Sequence, residues 1–528
     1  MTRNFRRGVL GAVALASLGL GACTDPSVAP TSTVSETTVF NSPASYRSFL
    51  AKLYGGLILS GIRGCCDRDI GTISDAGFQS YIRIYWQAQE LPTDEAMLRW
   101  ANDGPILEYN AMTWGSTNEF VSGMFARIFF QIATANEFLR QTTDAKLDER
   151  GVSGQLRTDI QAFRAEARFL RALSYWHGVD MYGPIPIVTE PSGTPPSQST
   201  RQQVFDFIVS ELNAIIPDLP PAAGQATYAR ATQEAAHMLL AHVYLNGEVY
   251  TGTPYYTEAA NEAAAVINSG KFSLNPVFQN NFTADNHLSP EIIFPLVSDG
   301  LYSRGYGGTT FLIHAACVGG TNPWSQDPAT LGVNGCWAGL KVRPEAYARL
   351  QSDPRGLFFT TGRTPNAITS ITSEEEGAAS MKFTNLTSTG SQGSSGEFPD
   401  TDYPMFRLAD AYLIYAEAVV RGGTGSAAQA LGYVNALRQR AYGDNSGDIT
   451  QGELTVDFML DERGRELFFE GQRRTDLIRF GKFSGGSYIW TFKGGVPAGQ
   501  SVPDYLSLYP IPSNQIAVNP KLTQNPGY

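Results

Sequence analysis

Ala411-Tyr412-Leu413-Ile414-Tyr415-Ala416-Glu417-Ala418 runs through Gly422-Gly423-Thr424-Gly425 into Ala427 to Leu437. Small residues recur where two helices would touch, aromatics stand beside them, and glycines punctuate the middle. That is the pattern of a helix-turn-helix hairpin. A second stretch follows the same plan, with the Ala- and Leu-rich Ala231 to Tyr244 leading to Tyr256 to Ile267. Elsewhere Leu156, Ile160, Phe163, Ala167 and Leu170 follow a 4-3-4-3 spacing that lays one apolar stripe along a helix, with Arg164, Arg168 and Arg171 off the stripe. This helix should stop near Tyr182, because Gly183-Pro184 supplies a C-terminal signal. Helical patterning also predicts segments over 43–60, 118–140, 201–216, 229–246, 255–268, 405–421, 426–441 and 456–479.

The two hairpins resemble tetratricopeptide repeats, although any αα-hairpin carries a similar pattern. A single hairpin cannot bury its apolar faces, so several must stack. The expected fold class is mainly α: hairpins of tetratricopeptide type forming a scaffold, with long irregular loop insertions and minor short β-strands. Gly and Pro together make about 16% of the 528 residues, above the usual level of about 12%, which fits long loops on a folded body.

The formal net charge is −11, and Arg3, Arg6 and Arg7 precede a stretch without acids. If residues 1–22 are removed, 36 basic residues face 50 acidic ones. That balance offers no general attraction to phosphate backbones or anionic headgroups, so nucleic-acid binding is disfavoured. The three arginines, apolar Val9 to Leu20, and small Gly21 and Ala22 compose a signal peptide. Leu20-Gly21-Ala22-Cys23 resembles the lipobox of bacterial lipoproteins, which implies that Cys23 becomes the lipidated first residue. Arg6-Arg7 also resembles a twin-arginine signal, leaving the export route open.

The domain reading is a leader at 1–22, a Ser/Thr/Pro-rich tether at 23–40 and a single domain at 41–528. Within that domain, 41–270 and 405–528 read as helical parts. The Gly-, Ser- and Asn-rich stretch 271–404 reads as a loop-rich insertion, the kind of segment that carries function. Export places the remaining cysteines in oxidising conditions. Cys317 and Cys336 bracket a short Gly-rich loop and form a candidate disulfide, while adjacent Cys65 and Cys66 would each more easily pair elsewhere. Spacing alone does not settle connectivity.

Glu166 to Trp176, followed by Tyr182 to Pro191, strongly resembles a signature of the SusD/RagB family. So does Leu460 to Arg473 continuing to Asp476–Arg479, and so does the ending Tyr509 to Ile516 with Asn519-Pro520 and Gln524 to Tyr528. Gly464 and Arg474 depart from the bulkier residue and the aromatic frequent at those positions. The resemblance implies a cell-surface, outer-membrane, lipid-anchored protein that captures nutrients, mostly oligosaccharides and sometimes peptides. It further implies delivery to a SusC-like TonB-dependent β-barrel transporter, with this protein as lid and no enzymatic activity. Two other readings stand beside it: a lipid-anchored glycan hydrolase, or a repeat scaffold binding only proteins.

Glu462, Glu466 and Glu470 stand four apart with Arg463 and Arg473 nearby, which suits ion pairs between packed helices better than a glycosidase pair across a sugar. There is no catalytic candidate. No C-x-x-C pair exists and only five His are present, so no metal or cofactor is expected; calcium in the insertion is without support. A pyranose presents an apolar face and a ring of hydroxyls, which aromatic and polar side chains can satisfy together. The candidate ligand-binding residues are therefore the loop aromatics Trp86, Trp100, Trp114, Tyr302, Tyr306, Trp324 and Trp337, with the polar Asp94 and Asn102. Trp176 and Trp490 are assigned to packing. The acidic surface favours a neutral or cationic ligand.

Overall fold

The computed structural model describes residues 40, 42–62, 65 and 67–528; the leader, Cys23, the tether up to residue 39 and Cys66 lie outside them. Contacts divide the chain into units 1–48 and 49–528. In the first unit the described residues begin α1 (Pro43–Gly55), where the rings of Phe40 and Tyr46 lie 5.2 Å apart. All further elements lie in the second unit.

Its helices start where side chains cap the free N–H groups. Ser80 caps α2 (Tyr81–Glu90), and Asn118 caps α3 (Glu119–Gln141) through the N–H groups of Phe120 and Val121. The long α4 (Gly154–Tyr182) ends at Gly183, whose φ of 70° suits glycine. A capping box between Thr200 and Gln203 opens α5 (Arg201–Ile215). Thr232 caps α6 (Gln233–Leu245), and α7 (Tyr256–Asn268) returns alongside it. Of the predicted stripe of α4, Ile160, Phe163, Ala167 and Leu170 lie in the core and Leu156, near the helix start, is half-buried. Off the stripe, Arg168 and Arg171 reach Glu211 of α5 at 2.9 and 2.6 Å.

The quoted hairpin is α9 (Leu408–Val420) and α10 (Ala427–Tyr442), with α8 (Gly308–Ala316) preceding it in the chain. Helix α9 packs against both α10 and α7, so the two hairpins form a stacked array. Buried Ala235, Ala236, Ala241, Ala259, Ala260 and Ala263 let α6 and α7 approach closely. Gly423 sets the stacking. A Cβ there would lie 2.6 Å from the Tyr256 carbonyl oxygen, and the neighbouring Thr424 N–H donates to Thr257 Oγ1 at 3.0 Å. These tetratricopeptide-like hairpins make the fold mainly α, as the pattern implies.

The loop-rich stretch 271–404 contains α8 and takes part in three antiparallel strand pairs, two of which join it to segments outside it. They are β1 (Ala96–Leu98) with β3 (Leu340–Val342), β2 (Ile292–Leu296) with β6 (Tyr403–Arg407), and β4 (Phe358–Phe359) with β5 (Ala379–Ser380). Strand β6 also takes the first residues of the helix predicted over 405–421. The helix predicted over 456–479 is two, α11 (Val456–Glu466) and α12 (Arg473–Arg479). Between them Phe469 and Gly471 turn to φ of 63° and 72°. Tertiary partners hold the turn: Phe469 N–H donates to Glu95 at 3.0 Å, Gly471 N–H to Glu90 at 2.6 Å, and the Trp86 indole donates to Phe469 O at 2.9 Å. No helix among the described residues is long and apolar enough to cross a membrane.

Candidate functional site

The acidic motif at 462–470 is scaffold. Arg407 binds Glu470 through Nε at 2.7 Å and both Glu466 and Glu291 through Nη1 at 2.6 and 2.8 Å. Arg355 binds Glu462 and Glu466 at 2.8 and 2.9 Å, and Lys382 binds Glu470 at 2.6 Å. All of these side chains are buried. Burial alone would raise the pKa of Glu466, but Arg440, Arg407 and Arg355 hold it well below the usual carboxylate range. Fully paired and shielded, these carboxylates cannot meet a sugar. Glu470 lies beyond α11, so it joins this cluster through the turn and not through helical spacing.

Three of the predicted site residues belong to the same interior. Asp94 accepts from Arg473 and Arg349 at 2.7 Å each and from Tyr488 at 2.7 Å; burial opposes its ionisation, and the two guanidinium groups override it. The absence of a side chain at Gly464 makes room for this pair, since a Cβ there would meet both Arg349 and Arg473 at 2.8 Å. Trp86 is 1% exposed and lies edge-on to Phe311 and Phe469. Trp114 is 3% exposed, packs 4.8 Å from the Tyr509 ring and donates to Tyr528 Oη at 2.8 Å. Each belongs to the core because distant segments supply its partners. Trp176 and Trp490 are buried as well.

Trp100, Trp337 and Tyr306 converge at the surface instead. Trp100 follows β1, and its Nε1 donates to Trp337 O at 3.3 Å. Trp337 stacks on His314 of α8 with ring centres 4.8 Å apart and lies 6.0 Å from Tyr306. The main chain of Trp337 to Gly339 runs along the end of α8, donating to the carbonyls of His314, Cys317 and Ala315 at 2.7–2.8 Å. The Cys317–Cys336 disulfide, with Cα atoms 4.8 Å apart, fastens this run. Buried Arg83 ties the cluster together. It donates to Tyr306 O at 3.0 Å and lies over the rings of Phe78 at 3.8 Å and Phe311 at 4.4 Å. Burial pulls its pKa down to about 9. The ring nitrogens of His314 face the carbonyls of Gly335 and Glu397; burial lowers its pKa, and these two carbonyls oppose that.

The three rings are half-buried and held by these contacts. Polar groups stand around them: Glu397 accepts from Tyr306 Oη at 2.8 Å, Asn102 is exposed, and Arg99 is paired with Glu374. Tyr302 is 86% exposed, and Trp324 sits half-buried in the loop closed by the disulfide. Among the described residues no ring contact joins either to the cluster. Phe78, Arg83, His314 and Phe398, whose ring centre lies 5.3 Å from that of Tyr306, escaped the sequence reading. Only Phe78 and Phe398, aromatics in Gly- and Ser-rich loops, carried a signal that could have found them. No group of three or more His, Cys, Asp or Glu that could hold a metal ion occurs among the described residues.

Residues 336–528, with Trp337 at their start, match the model described as the SusD family. Residues 87–245, which contain Trp100, match the one described as starch-binding associating with outer membrane. Starch-binding protein SusD of Bacteroides thetaiotaomicron is 33% identical over 513 residues, spanning 89% of this chain and 89% of that protein. The chain belongs to the SusD family. SusD-like protein P2 of Formosa agariphila is 28% identical over 80% of this chain and 83% of its own. Among solved structures, surface glycan-binding protein A from Bacteroides fluxus aligns with a TM-score of 0.70 at 21% identity, covering 92% of this chain and all of that one. Surface glycan-binding protein A from Bacteroides thetaiotaomicron, in complex with laminarihexaose, aligns at 0.68 and 19%, covering 91% and 99%. These likenesses establish that the chain has the SusD fold.

Proposed function

We propose that this SusD-family protein captures oligosaccharides on the platform of Trp100, Trp337 and Tyr306 and delivers them to a SusC-like TonB-dependent outer-membrane transporter, breaking no bond itself. The observation that carries the reading is the platform: three half-buried aromatic rings held by fixed contacts, with Glu397 and Arg99 beside them. Exposing such rings to water without a ligand is unfavourable, and sugar faces are their natural complement. The starch-binding name of the relative at 33% identity supports the ligand class. Attachment to the outer membrane through lipidated Cys23, facing the exterior, completes the proposal, along with the single-domain reading of 41–528.

Titration calorimetry with glycans from a binding array tests the ligand. Trp100→Ala and Trp337→Ala should each weaken affinity about tenfold, the loss of about 1.4 kcal/mol of stacking. Unchanged affinity after both would sink the platform as the site. Mild-detergent purification of the tagged protein from its own membrane tests delivery, and recovery without a large β-barrel partner would count against it.

A further inference from the structure

Three cations gather beside the platform, under the loop 361–377. In the β1–β3 ladder Met97 stands opposite Lys341, and Arg99 follows two residues on, with its N–H on Gly339 O at 2.9 Å. Side chains two apart share a strand face, so Arg99 and Lys341 emerge on the same side. Lys341 is 2% exposed and donates to the Ser370 carbonyl at 3.1 Å; among the described residues no carboxylate lies within ion-pairing distance of it. Arg363, 8% exposed, donates through Nε to Gly377 O at 2.8 Å. Its Nη1 and Nη2 are buried and have no hydrogen-bond partner. The preceding Gly362 leans on the next segment, where a Cβ would lie 2.6 Å from the Pro323 carbonyl carbon and 3.0 Å from Trp324 N. The indole N–H of Trp324 is likewise buried without a partner.

A buried guanidinium with both outer nitrogens unsatisfied is a costly arrangement unless something arrives to satisfy it. The matching partner is planar or tetrahedral, carries negative charge and offers at least two acceptor oxygens. Glu374 marks the approach: partly exposed, it is paired with Arg99, and its charge acts on both Arg363 and Lys341. Arg99 Nε donates to the carbonyl of Ala338, the residue after Trp337, so an anion on Arg99 lies within reach of a ligand on the platform. A chain of net charge −11 repels anionic ligands at long range, but within a screening length of about 8–10 Å the local cations decide the sign.

We infer that Arg363, Arg99 and Lys341 form a subsite for a negatively charged substituent of the bound glycan, a uronic acid carboxylate or a sulfate ester, which displaces Glu374 from Arg99. The inference rests on the glycan-binding reading above. A sugar seated on the indoles turns its charged substituent toward Arg363, and Glu374 swings to solvent as the substituent takes its place.

The test is calorimetry of the full chain with neutral laminarihexaose, an oligogalacturonide and a sulfated galactan oligosaccharide, before and after substitution. At least one acidic probe should bind at least tenfold tighter than the neutral one. Preference for the oligogalacturonide alone assigns a carboxylate, and preference for the sulfated probe alone assigns a sulfate ester. Arg363→Gln should abolish the preference while leaving neutral-glycan affinity unchanged, and Glu374→Gln should strengthen it. In the unsubstituted chain, acidic-probe affinity should fall at least fivefold between 50 and 500 mM salt, and neutral affinity should not. Equal binding of neutral and acidic probes, or a preference that survives Arg363→Gln, overturns the subsite and leaves the platform standing. Absence of binding to any glycan overturns both.

Discussion

Gly339 lies directly against the indole of Trp100: a Cβ at that position would fall 2.5 Å from Cζ2 and 2.8 Å from Nε1. The bare backbone at 339 is what allows the platform's first ring to lie where it does, with its N–H on Trp337 O. Gly339→Ala should therefore dislodge Trp100 and weaken glycan binding about as much as Trp100→Ala does, with the helical content unchanged. Titration calorimetry beside circular dichroism checks this, and native affinity in the Ala variant would show that the ring's position is immaterial.

The disulfide acts on the same run of chain. It closes a loop of sequence separation 19 that carries Trp324 and ends one residue before Trp337. Loop-closure entropy for a ring of this size is worth about 3 kcal/mol. The double variant Cys317→Ala/Cys336→Ala should lose about that much in urea unfolding, and glycan affinity should fall with it because the Trp337–His314 stack loses its fastening. A variant with full stability would mean that the hydrogen bonds to α8 suffice alone.

Arg407 separates scaffold from site. Removing it by Arg407→Met leaves Glu291, Glu466 and Glu470 buried with fewer partners, which should cost about 3–5 kcal/mol. Arg157, on the surface with Asp144 and Asp148, should leave Tm within experimental scatter when changed to Ala. Comparable Tm values for the two variants would contradict the scaffold reading of the acidic motif.

Lys341 imposes a pH dependence. Burial lowers its pKa to about 7; Glu376 and Glu374 oppose that, and Arg363 and Arg99 reinforce it. The unfolded chain, with an ordinary lysine at about 10.4, binds the proton more readily between those two values. Its contribution to stability therefore rises with pH from about 7 to about 10, and the full penalty is present below 7. Denaturant unfolding at pH 7 and 9.5 should show the unsubstituted chain gaining stability relative to Lys341→Met. The opposite slope would place the ammonium in a more favourable setting than its burial indicates.

Much of the body was legible in sequence because helices are local. The stripe of α4 and the glycine-rich turn at 422–425 depend on residues within a few turns of one another, and those predictions match the observed elements. Capping is equally local, as at Asn118 and Thr200. The break between α11 and α12 was not legible. Helical spacing continues through Glu470, yet the backbone turns because Glu90, Glu95 and Trp86, more than 370 residues earlier, capture its polar groups.

The candidate site shows the same division more sharply. By itself the sequence determined the helical hairpins, the SusD motifs and a pool of aromatics rich enough to bind a sugar. It could not sort that pool. Trp86 and Trp100 sit in one polar-looking stretch, but Phe469 and Phe311 close over the first, while the second follows a strand, beside a glycine, and stays half-buried. Asp94 looked like a hydroxyl acceptor and is a buried counter-ion, because Arg349 and Arg473 arrive from far along the chain. Exposure and charge pairing depend on what other segments bring to a side chain, and long-range packing alone decides that.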